Sequence, residues 1–120
     1  MNHIFKILIS TALLISVQAS YAGTYGSGNG KISTMAAGAI GTGHVPKDMI
    51  YFHVDNQTFG DCTQGNATPY FVIDTKASGG SAMAAMLLAA KMADKEIWIA
   101  GKGTCETFDK QEDVSYMYFK

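Results

Sequence analysis

Apolar and polar residues alternate along several short stretches of this chain, and one longer stretch carries its apolar residues at helical spacing. Over 49–55, Ile50, Phe52 and Val54 share one side of a two-residue period. Tyr51, His53 and Asp55 share the other, which predicts a half-buried strand. Phe71 and Ile73 mark a strand over 70–74. Ile97 and Ile99, with Trp98 pointing the other way, mark one over 96–100. Val114, Tyr116 and Tyr118 against Ser115, Met117 and Phe119 mark a last one over 114–119. Residues 31–42 alternate less cleanly through Ile32, Met35, Ala37, Ala39 and Ile40. They predict a strand with a bulge or bend near Gly38.

Residues 82–93 are alanine, methionine and leucine with one lysine, all strong helix formers. Ser81 is the expected N-cap. Met83, Met86, Leu87 and Ala90 fall at i, i+3, i+4 and i+7, a stripe that belongs in a core. The other side is also apolar, with Ala84, Ala85, Leu88 and Met92. A domain of this size rarely buries a helix all round, so that side is expected to be a subunit interface, implying a homo-oligomer. The competing explanation is that the alanines simply raise helix propensity on an exposed face.

Turn signals separate these elements. Thr42–Asp48 holds Gly43 and Pro46, residues 56–68 are polar, and Ala77–Ser81 contains paired glycines. Gly-Thr-Tyr-Gly-Ser-Gly-Asn-Gly over 23–30 has no apolar period and is expected to be a flexible leader. Its Gly30-Lys31 pair does not make a phosphate loop, because Tyr25 and Ile32 stand where that motif needs Gly and Ser or Thr. The element order is strand, strand, strand, helix, strand, strand. That order predicts a mainly β domain: a five-stranded OB-fold-like Greek-key barrel with one helix between strands three and four. The alternative is an α+β open antiparallel sheet with the helix packed on it.

The N-terminal residues form a separate unit. Lys6 precedes an apolar run from Ile7 to Val17, and Ser20-Tyr21-Ala22 offers small residues at a cleavage site. This is the layout of a secretory signal over 1–22. The run is about half the roughly 20 residues a membrane span needs. Export to the periplasm or beyond is therefore expected, with no span after cleavage. Without Lys6, eight lysines face ten carboxylates, about −2 in net charge. The chain has no arginine, the usual residue for phosphate and guanine recognition, so nucleic acid is not an expected partner.

In an exported chain the two cysteines, Cys62 and Cys105, are expected to form a disulfide. It closes a loop worth about 4 kcal/mol by chain entropy. Neither zinc-ligand spacing nor a CxxC motif is present, so no metal and no cofactor are expected. No serine-elbow or HExxH signature appears. Among the candidate groups, His53 with Asp55 or Asp61 is the one acid–base combination, and His-x-Asp alone is a weak motif. Tyr51, Tyr70 and Trp98 fall on outer faces, where aromatic rings can stack on sugars.

Several segments together resemble the B subunits of bacterial AB-type toxins, in particular the pertussis-like and subtilase-cytotoxin-like groups. They are the signal and short leader, Gly30-Lys31-Ile32-Ser33 opening a strand, the turn Thr42-Gly43-His44, and a hydrophobic helix ending in Ala89-Ala90-Lys91-Met92-Ala93-Asp94-Lys95 before Glu96-Ile97-Trp98-Ile99. The resemblance covers residues 30–105. It implies an OB barrel in a ring, a cell-surface glycan as ligand and a secreted A-type subunit as partner. It also implies Ser33 as a sugar contact, although the aromatic residue that such proteins keep beside that serine is replaced here by Lys31 and Ile32. The expected site is then Ser33, Tyr51, His53, Tyr70 and Trp98 in a non-enzymatic binding module. A periplasmic inhibitor or accessory subunit is the alternative, and an enzyme using His53 ranks third.

Overall fold

The computed structural model describes residues 24–40 and 47–120. The expected signal over 1–22 and most of the turn over 42–48 lie outside the described residues. Five strands, β1 (Ser27–Ile40), β2 (Lys47–Thr58), β3 (Phe71–Asp74), β4 (Ile97–Gly101) and β5 (Glu112–Phe119), close into a barrel in the order β1-β2-β3-β5-β4. β1 closes the ring by pairing with both β2 and β4, and only β3 and β5 run parallel. This is an OB-fold-like Greek-key barrel, and its closure removes the open-sheet alternative.

The expected inward residues fill the barrel. Phe52, Val54, Phe71, Ile73, Ile97 and Ile99 are buried in one cluster with Ile32, Val114 and Met117. Ile50 is only half-buried, packed against that cluster. Among the described residues one α-helix, α1 (Gly80–Met92), adds Leu87 and Ala90 from the stripe expected to face the core, with Met83 and Met86 partly buried beside them.

Four local expectations need correction. The leader expected over 23–30 is not free chain from Ser27 onward: Ser27–Gly30 belong to β1 and pair with Ile97–Ala100 on β4. Glycine suits it because core side chains fill the space a Cβ would need; a Cβ on Gly28 would collide with the Val54 side chain. The bulge in β1 lies between Asn29 and Thr34 and not at Gly38, which sits in register opposite Met49. Ser81 does not cap the helix. The N-cap is Gly79, at φ 77°, a left-handed conformation that favours glycine. Finally, β5 does not alternate throughout. A register shift opposite Ala100 and Gly101 places both Val114 and Met117 inward, three residues apart.

The Cys62–Cys105 disulfide is formed, with Cα atoms 5.8 Å apart. It joins a short 3-10 turn (Asp61–Thr63) to the loop between β4 and β5. Buried carboxylates hold both flanks. Glu112 accepts backbone hydrogen bonds from Gly26 and Gly60. Asp113 accepts from Thr104 Oγ1 at 2.7 Å and from the backbone of Glu106 and Thr107. Among the described residues no helix is long and apolar enough to cross a membrane.

Candidate functional site

β2 presents Met49, Tyr51 and His53 on the outer face of the barrel, because alternate residues share a face. Val72 of β3 stands opposite Tyr51 and shares that face. An outer face is ordinarily wet, yet Met49 and Val72 are only 3% and 1% exposed and do not belong to the barrel core. Both line a groove of about 210 Å³ together with Tyr51, Tyr70, Phe108 and Gln111. Phe108 and Gln111 come from the β4–β5 loop, where they pair with each other in a small bridge. That loop lies beside the outer face and turns it into a concave, mostly apolar site.

Tyr70 is held from several directions. Its ring stacks on His53, with centroids 3.8 Å apart and planes 2° from parallel. Tyr51 meets it edge-on at 4.8 Å. Its backbone N–H donates to Gln111 Oε1 at 2.5 Å, and its carbonyl accepts from the N–H of Glu112. The Gln111 side chain thus extends by one position a parallel ladder that otherwise starts at Phe71 and Glu112. Since Oε1 is occupied, Nε2 is the group left to donate at the groove. His53 is fixed too. Its Nε2 lies 2.8 Å from the Pro69 carbonyl, which only accepts, so Nε2 carries a proton and donates it there.

Of the five expected site residues, the structure brings together Tyr51, His53 and Tyr70. Trp98 sits elsewhere, in a second aromatic patch with Tyr118 at 5.2 Å and Tyr116 at 5.7 Å on β4 and β5. Tyr116 and Tyr118 are about half exposed. Ser33 is exposed in the bulged part of β1 and does not line the groove. Met49, Val72, Phe108 and Gln111 were not singled out from sequence. Met49 is in phase with Tyr51 and His53, so its place was legible. The arrival of Phe108 and Gln111 from 38 and 41 residues beyond Tyr70 was not.

The carboxylates near His53 in sequence are engaged elsewhere. Asp55 accepts from the backbone of Lys31 at 3.3 Å, and Asp61 accepts from Thr24 Oγ1 at 2.7 Å. Among the described residues no three His, Cys, Asp or Glu side chains converge in a way that would hold a metal. On α1, Leu88 and Met92 are 50% and 80% exposed, so the apolar face expected to meet a partner lies open in the single chain. Ala85 is exposed beside them, and Ala84 is half-buried. Comparison with family models, with curated proteins and with solved structures gives no match to this chain.

Proposed function

We propose that this protein is an exported, non-enzymatic, oligomeric binding module whose ligand is a sugar on a cell surface. The observation that carries the reading is the immobilised Tyr70 ring at the mouth of a concave groove. A ring already fixed by His53, Tyr51 and two backbone hydrogen bonds loses little freedom when a ligand stacks on it. Tyrosine combines an apolar face with a polar hydroxyl, which suits the mixed surface of a sugar. The engagement of Asp55 and Asp61 away from His53 counts against acid–base catalysis there. The disulfide agrees with an oxidising compartment. The exposed Leu88 and Met92 support self-association through α1, as in the toxin B subunits the sequence resembles, which act with a secreted A-type subunit. A glycan array probed with wild type and Tyr70→Ala tests the ligand. Binding that disappears in the variant is expected; no binding to any glycan would end this reading.

A protein-interaction or accessory subunit is favoured by a different observation. Beyond Gly30, β1 pairs with β2 alone, so one edge of the strand is unpaired among the described residues. Such an edge accepts a strand from a partner. Recovery of a defined stoichiometric protein complex that blocking this edge abolishes, without any sugar binding, would favour this reading.

A further inference from the structure

Resting on the sugar-binding reading, we infer that the groove takes an uncharged sugar ring and that Gln111 is the residue that selects and orients it. None of the six lining residues is charged. Four of the charged residues nearby in sequence are directed elsewhere. Lys76 is paired with Asp48 at 2.7 Å. Lys110 directs its ammonium toward Gly65, where a Cβ would lie 3.3 Å from Nζ. Glu112 and Asp113 are buried, with their oxygens taken by backbone and threonine donors.

An acidic sugar seated with its carboxylate in the groove would bring it out of water against Met49, Val72 and two tyrosine rings, and none of the six described lining residues is a cation to receive it. Desolvating a charge without a partner is strongly unfavourable. A neutral ring does not meet that obstacle. Its C–H face lies on Tyr51 or Tyr70, its edge fills the space over Met49 and Val72, and its hydroxyls meet tyrosine hydroxyls and the two Nε2 hydrogens of Gln111. The volume, about 210 Å³, suits one ring and not a chain of them.

The test is calorimetric titration of the intact protein with a galactose-terminated oligosaccharide and with the same oligosaccharide capped by sialic acid. The neutral form is expected to bind at least tenfold more tightly when the terminal ring occupies the groove. Gln111→Glu keeps an oxygen to accept from Tyr70 N–H, removes the Nε2 donors and adds a charge. It is expected to keep the wild-type melting temperature within a few degrees and to weaken the neutral ligand at least tenfold. Equal or tighter binding of the capped form would overturn this inference and leave the sugar reading intact, as would unchanged neutral-ligand affinity in a folded Gln111→Glu. Failure of both ligands, and of every glycan on the array, would sink both.

Discussion

Glu112 Oε2 lies 2.7 Å from the backbone nitrogen of Gly26, 86 residues earlier, in a site from which the Glu112 side chain is fully excluded from water. Its second oxygen accepts from Gly60. Gly101 completes the enclosure, with no room for a Cβ beside the carboxylate. One side chain therefore ties the start of β1, the segment before the disulfide turn and the end of β4. Glu112→Ala would leave two buried N–H groups without acceptors and a cavity, at a cost of about 3 kcal/mol or more. Chemical denaturation should show it. Gly101→Ala should be comparably damaging, because its Cβ must displace the carboxylate. Wild-type midpoints in both variants would show that this cage contributes little.

Cys62 and Cys105 connect loops that Glu112 and Asp113 also hold. Replacing both cysteines by serine is expected to cost up to about 4 kcal/mol, from the greater freedom of the unfolded chain. The folded loops keep their carboxylate anchors, so circular dichroism below the lowered midpoint should retain the β signature. Loss of folded signal at all temperatures would mean that the disulfide, and not the anchors, organises this end of the barrel.

Lys31 Nζ and Asp94 Oδ2 approach to 2.6 Å and link β1 to the end of α1. Their hydrogen bond first, and their opposite charges second, hold the Asp94 carboxyl below its ordinary 3.8 and Lys31 above its ordinary 10.5. A lowered folded-state value means the pair contributes stability above about pH 4, lost as the pH falls further. The pair is exposed and screened, so the effect is small. Asp94→Asn should melt slightly below wild type at neutral pH and low salt. The two should coincide at pH 2 or in high salt, as differential scanning calorimetry would reveal. Asparagine tolerates the left-handed backbone at φ 53° as aspartate does, so the substitution isolates the charge, and a constant difference across pH would show that the ion pair is not its source.

Leu88→Glu combined with Met92→Glu changes only the exposed side of α1, since Leu87 and Ala90 make its core contact. Light scattering is expected to show a fall from an oligomer to a monomer, with the melting transition of the barrel still present. Leu87→Ala, on the buried side, should instead cost about 2–5 kcal/mol. An unaltered mass in the double variant would remove α1 as the interface.

The elements that announced themselves were those whose apolar period matched their environment on both sides. Phe52 and Val54, Ile97 and Ile99, and the Leu87–Ala90 stripe point inward as their spacing predicts. What escaped were effects of distant chain segments on local pattern. Gly26, Gly28 and Gly30 look like free chain because a glycine carries no sign of whether its openness serves flexibility or close packing. Here Glu112, Val54 and Asp55 occupy the space their Cβ atoms would need. The burial of Met49 and Val72 is hidden for the converse reason. The period places Met49 on the outer face, but why apolar residues stand there is intelligible only once Phe108 and Gln111 fold beside them. Tyr51 and Tyr70 could be chosen as outward aromatic rings and His53 as an acid–base group, but the stacking that joins them depends on the β2–β3 pairing.

The most direct test of the account is nuclear magnetic resonance mapping of the protein during titration with a glycan it binds. The largest shifts are expected on Tyr51, Tyr70, Phe108 and Gln111, with His53 following through its stacked ring. Shifts confined to Trp98, Tyr116 and Tyr118, or to Ser33, would contradict it.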